Sequence, residues 1–213
     1  MTEQICPLSR SIQTAPSIAE FMAMIESRYG PKTESDVLLV KRFFTAAEAI
    51  VARMSEMSPF KEQGRKGCVI GIVKLGEDTF ADFREVGDDR GGKTEAPNAL
   101  DREKRAKHTM FAVGKTVELV QHPDALSSRE IYDEKEGDVV IEDIHDTWRI
   151  PGGAIRIGEH IIVVSGYPDG QDDEAVGLAI AQAIGMRRPK AIERFARQIQ
   201  NTRYAEIKDK LFC

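Results

Sequence analysis

His108, Phe111 and Lys115 recur at spacings of three and four residues, which places them on one stripe of a helix. They offer an imidazole that can ligate a metal, an aromatic ring that can lie against a flat ligand, and an ammonium that can meet an anion. His108 is the candidate metal ligand. The commoner case for such a residue is an exposed helix histidine with no ligand, and both readings stand on the residues alone. The thiols offer less. Cys6, Cys68 and Cys213 are widely spaced without a CxxC pair, and Cys68 falls in an apolar run where a thiol behaves as a small hydrophobe. Asp172, Asp173 and Glu174 could hold a cation, yet carboxylates at a helix N-terminus are already favoured by the helix dipole.

A second group of candidates lies in RIPGGAIRIGEHIIVVSGYPDGQDDEAVGLAIA, residues 149–181. It reads as a strand, a tight turn at Gly158, a second strand, a loop and a helix that stops at Gly185. Arg149, Gly152, Gly153 and Ser165 could wall or floor a small-molecule site here. Gly152 and Gly153 form no GxGxxG between a strand and a helix, and no Walker A pattern exists, so nucleotide binding is not indicated. Their expected role is in the backbone, through an unusual conformation or a close approach. His145, beside Trp148, could line a pocket; His122 at a helix end and His160 at the start of a strand read as structural. No spacing singles out a reaction, so an enzyme reading has no assigned catalytic residue.

These side chains need elements to position them. Ser17 with Glu20 carries a capping-box pattern for a short helix that ends at Gly30 and Pro31, and a longer helix from about Ser35 carries Val40, Phe43, Phe44, Ala47, Ile50, Val51 and Met54 on one stripe. Residues 68–75 and 79–86 read as a hairpin, 87–98 as a glycine-rich surface loop, and 100–120 as a helix with Ala106, Met110, Val113, Val117 and Val120 towards the core. The stripe of His108, Phe111 and Lys115 is then a mixed face, open to a ligand or another subunit. The acidic segment 121–147 holds either a short strand around Val139–Ile144 or an anchored loop. Residues 188–212 read as one amphipathic helix, docked on the domain or on a partner. The order helix, hairpin, helix, hairpin, helix predicts an α+β fold, an antiparallel sheet with helices packed against it. The expected organisation is a helical extension over 1–34, a core domain over 35–186 and a C-terminal amphipathic helix over 187–213.

The 213 residues suffice for one core domain with extensions. With 35 acidic against 30 basic side chains and a formal net charge of −5, the chain lacks the positive field that a nucleic-acid backbone requires. No apolar run is long enough for a membrane span, and MTEQICPLSRSIQ has no signal-peptide pattern. A cytoplasmic protein with no membrane or nucleic-acid partner is expected.

Three stretches in order, PNALDREKRAKHTMFAVGKT (97–116), IPGGAIRI (150–157) and VVSGYPDGQDDEAV (163–176), resemble the GlcG/HbpS-like family, in particular its haem-degrading, HbpS-like subgroup. Thr109, Gly114, Lys115 and Thr116 match the basic helix and its Gly-[Lys/His]-[Ser/Thr] turn. Ser165, Gly166, Pro168 and Asp172 match the Val-Ser-Gly-x-Pro segment and the aspartate after it. The chain departs from the pattern at Asp173, where the subgroup has histidine, and at Ala106, where a basic residue is usual. Over about residues 35–185 the resemblance implies a profilin-like fold, homo-oligomers, and in some members binding or degradation of haem or a related tetrapyrrole. In that setting His108 would meet the iron, Phe111 the ring face and Lys115 a propionate. A different reading rests on the terminal helices: a non-catalytic module that forms oligomers or docks a partner protein.

Overall fold

The structure is a computed structural model, and it describes residues 27–31, 33–62, 67–87, 99–134, 140–143, 146–149, 152–167 and 169–212. The first long helix, α1 (Glu34–Glu56), begins at Thr33, whose hydroxyl oxygen accepts from the Asp36 backbone N–H at 3.1 Å. This satisfies one of the donors that a helix start leaves open. Its apolar stripe is the predicted one, with Phe43, Ala47, Val51 and Met54 all fully buried.

Strands β1 (Gly67–Lys74) and β2 (Phe80–Gly87) form the first hairpin, and β5 (Ala154–Ile157) and β6 (His160–Ser165) the second. β6 pairs antiparallel with β1, which gives one four-stranded antiparallel sheet in the order β2-β1-β6-β5. The strands alternate, and each face is covered. Ile70 and Ile72 of β1 and Ile162 and Val164 of β6 share one core with α1 and with α4 (Gly170–Ala183). Val69, Val73, Ile161 and Val163 point the other way, onto Ala112, Val113 and Leu119 of α2 (Ala99–Gln121). The result is an α+β domain of three layers, with helices on both faces of the sheet.

Between α2 and β5 lie a short helix α3 (Ser128–Glu134) and a two-stranded ribbon of β3 (Val140–Asp143) and β4 (Asp146–Arg149). The ribbon realises the strand alternative for the acidic segment. α3 was not expected, although its start is a capping box. The Ser127 hydroxyl accepts from Arg129 N–H at 3.0 Å, and the Glu130 carboxylate accepts from the backbone N–H groups of Leu126 and Ser127.

The C-terminal segment differs from the single helix expected. It is two helices, α5 (Pro189–Gln198) and α6 (Arg203–Phe212), separated by a turn in which Gln200 takes a positive φ of 53°. Asn201 holds the turn, since its side-chain oxygen accepts from Tyr204 N–H at 2.8 Å while its amide donates to Gln171 O and to Glu174. Ile192, Phe195, Ile199, Tyr204, Ile207 and Leu211 are buried in the same core as α1 and α4. Their apolar faces are therefore covered from within the chain, which decides the docking in favour of the domain. Of the expected first helix, only residues 27–29 fall within the described part, and they are helical; the 88–98 loop and His145 lie outside it. No helix among the described residues is long and apolar enough to cross a membrane.

Candidate functional site

α2 brings His108, Phe111 and Lys115 to the end of β6. The His108 ring meets the Phe111 ring edge to face, with centroids 6.4 Å apart, and its Nδ1 lies 3.4 Å from the Ser165 hydroxyl. His108 is partly exposed, whereas Ser165 and Phe111 are buried. Ser165 is the last residue of β6, and Gly166 follows it close against β1. A Cβ at 166 would stand 2.6 Å from that of Cys68, so only glycine allows the chain to leave the sheet there.

Lys115 lies one turn further into the molecule and is completely buried, so the stripe predicted as an open mixed face is closed at both Phe111 and Lys115 and only His108 keeps some exposure. Its ammonium donates to Val164 O at 2.8 Å and to Asp173 Oδ2 at 2.9 Å. α2 and α4 cover opposite faces of the sheet, and this contact joins them just before the start of β5. Gly153 makes the crossing possible. Its φ is +137°, and a Cβ there would lie 2.7 Å from Lys115 Nζ and 2.6 Å from Asp173 Cβ. The Gly153 carbonyl accepts from Val164 N–H at 2.9 Å, so the same short stretch carries a strand-like bond and the close approach.

Asp173 also accepts from Tyr167 N–H at 3.0 Å. Burial pushes its pKa up to about 6, and the Lys115 charge and hydrogen bond pull against that rise. The neighbouring carboxylates are buried too, each with a different partner. Glu174 accepts from Ser127 at 2.6 Å and from Asn201 at 2.9 Å and lies 3.5 Å from Arg129, while Asp172 pairs with Arg203 at 2.8 Å. Burial raises the pKa of both, with these partners opposing the rise. The helix dipole alone is therefore not the explanation for the acidic run, because each carboxylate ties α4 to another element. No group of three or more His, Cys, Asp or Glu side chains that could hold a metal ion is present among the described residues.

The structure thus brings together five of the seven residues singled out as a ligand site: His108, Phe111, Lys115, Gly153 and Ser165. Gly152 sits one step away, packed on Arg129, where a Cβ would lie 2.8 Å from the arginine Cβ. Arg149 closes β4, paired in register with Val140, on the separate ribbon. Sequence reasoning missed Ser127, Arg129 and Asn201 as partners of Glu174 and missed Asp173 as the partner of Lys115. The capping-box spacing of Ser127 and Glu130 was the one available signal, because the other pairings are between residues distant in the chain. His122 Nδ1 lies 2.9 Å from Glu118 O at the end of α2, in agreement with a structural role. His160 opens β6, and burial lowers its pKa.

No family model, curated protein or solved structure matches the chain.

For a haem-like ligand the residues present fit in part. A partly exposed imidazole steadied by an aromatic ring suits a residue that would hold an iron. The Lys115 ammonium is already occupied by Asp173 and Val164, so it does not fit the propionate contact expected of it.

Proposed function

We propose that this chain is a cytoplasmic small-ligand-binding protein of the GlcG/HbpS-like kind, with a profilin-like fold and a site at the end of β6. The observation that carries this reading is the partly exposed His108, whose Nδ1 faces the Ser165 hydroxyl at 3.4 Å and whose ring edge meets Phe111. A hydrogen bond at one ring nitrogen sets the tautomer and orientation with which the other faces a ligand. Haem or a related tetrapyrrole is the first ligand class to try. His108 would hold its iron and Phe111 would back the His108 ring; the iron would supply redox and oxygen chemistry once bound. Lys115 takes a different part in this reading. It fixes Val164 O, one residue before Ser165, and so holds the strand end that carries the serine.

The test is titration of the purified chain with haemin, followed at the Soret band. A saturable red shift is expected in the wild type, together with its loss in His108→Ala. Absence of a saturable shift removes tetrapyrroles as the ligand, and a shift unchanged in His108→Ala removes the assigned residue.

A further inference from the structure

The C-terminal pair of helices carries a concentration of positive charge. Residues 187–212 hold eight basic against three acidic side chains, in a chain whose formal net charge is −5. α5 buries Ile192, Phe195 and Ala196. The middle of its opposite side falls at Lys190, Arg194 and Arg197, and all three are exposed. They form a row of cations within an arc of about 60° and along about 10 Å of helix. Arg187 and Arg188, also exposed, extend the row before the helix begins. None of these five forms an ion pair among the described residues. The one carboxylate of α5, Glu193, is taken by Lys208 of α6.

Helix stability does not account for this placement. Arg187, Arg188 and Lys190 surround the first turn of α5, which holds no acidic residue, and cations there meet the positive end of the helix dipole. An anionic partner outside the chain would offset that repulsion. Phe212 points to the kind of partner. α6 runs back along α5, since Lys208 pairs with Glu193, and Phe212 stands one turn beyond Lys208 on the same side, towards the start of α5. It is 41% exposed, an aromatic ring at the edge of the basic row. Cations that meet headgroups, beside an apolar ring that enters the boundary, are what a flat anionic lipid surface takes. Binding of a nucleic-acid strand interleaves aromatic rings among the cations, and the outer side of α5 has none. We infer that the outer face of α5, with Phe212 at its edge, is a docking surface for an anionic lipid membrane. The expectation of no membrane partner rested on the lack of a spanning run, which bears on insertion and not on contact with a surface. The acidic side chains elsewhere in the chain are screened from that surface beyond about 8 Å at physiological ionic strength.

Co-sedimentation of the full chain with phosphatidylcholine vesicles, prepared with and without phosphatidylserine, tests this. Binding is expected only where phosphatidylserine is present, and it should weaken as salt is raised. Lys190→Ala, Arg194→Ala and Arg197→Ala should each weaken it about fivefold, and the triple variant about a hundredfold. All three positions are exposed, and circular dichroism checks that the variants are folded. Phe212→Trp reports on the ring, and its added emission should shift to the blue on phosphatidylserine vesicles. Absence of binding, binding that the triple variant keeps, or an unshifted Phe212→Trp emission would each overturn the inference. Tighter binding to duplex DNA than to the vesicles at the same salt would also overturn it, and would make nucleic acid the partner.

Discussion

Lys115 and Asp173 face each other at 2.9 Å with their side chains 0% and 1% exposed, a complete ion pair between helices on opposite faces of the sheet. Two charges withdrawn from water at this depth are tolerated because each has further partners, Val164 O for the ammonium and Tyr167 N–H for the carboxylate. Removal of one member therefore costs more than removal of both.

Asp173→Asn leaves the Lys115 charge buried against a neutral amide, and a loss of about 3–5 kcal/mol is expected. Lys115→Met combined with Asp173→Asn removes the charge and keeps an acceptor for Tyr167 N–H. This double variant should be more stable than Asp173→Asn alone. Urea midpoints at constant m-value measure the order, and a double variant less stable than the single one would contradict it.

The same pair sets a pH dependence. Asp173 has a folded pKa of about 6 against an ordinary 3.8, raised by burial. Between those values the folded chain holds a proton that the unfolded chain has released, so this carboxyl's contribution to stability falls as pH rises from about 4 to 6. Asp172 and Glu174 are shifted the same way. Asp36 opposes them: burial works to raise its pKa, but hydrogen bonds from Thr33 and Lys74 and the Lys74 charge outweigh that and lower it. Its stabilisation is present above 3.8 and is lost as pH falls through its folded pKa. The expected profile is highest near pH 4, and Asp173→Asn should flatten the decline between about pH 4 and 6. A wild-type profile that rises steadily from pH 4 to 6 would count against this assignment.

Gly153→Ala should destabilise by about 2–4 kcal/mol, because it joins an unfavourable φ to a clash with both members of the ion pair. Gly76→Ala is the control. Its φ is +116°, yet nothing lies within 4 Å of the added Cβ, so the backbone term acts alone. Thermal melts of the two variants should differ accordingly, and equal losses would show that the crossing at Gly153 has slack.

Ile207→Ala should cost about 2–5 kcal/mol, as expected for a large residue in a filled core. Deletion of residues 203–213 removes Tyr204 and Leu211 as well, a loss comparable with the whole stability of a domain. Truncated protein should show no cooperative unfolding transition. If it melts as the full chain does, α6 is an appendage and not part of the core.

Local pattern made most of the elements legible. The stripe of α1, the two hairpins, the helix that contains His108 and the stop at Gly185 all rest on interactions within a few residues, where periodicity and turn chemistry speak directly. The break at Asn201 did not show, because the apolar spacing runs on through 199 and 207 and only the polar turn between them, anchored on Gln171 and Glu174, divides the helix. α3 could have been found from Ser127 and Glu130 by the reasoning applied at Ser17. The burial of Lys115 could not. Its partner is 58 residues away, and on a helix wheel a lysine beside a histidine looks solvated. The glycines at 152 and 153 were read correctly as backbone devices, but what approaches them, Arg129 and the ion pair, emerges only from the fold.

Consecutive helix residues diverge by about 100°, so Asp172, Asp173 and Glu174 point in three directions, towards α6, α2 and α3. Rotation of α4 about its own axis, or a slide along it, would break all three attachments together. α4 therefore behaves as a fixed post within this domain. In the proposed reading, a movement that accompanies a ligand at the end of β6 comes from the opposite wall, where the N-terminal half of α2 carries His108, and it leaves the Lys115 end of that helix as the pivot.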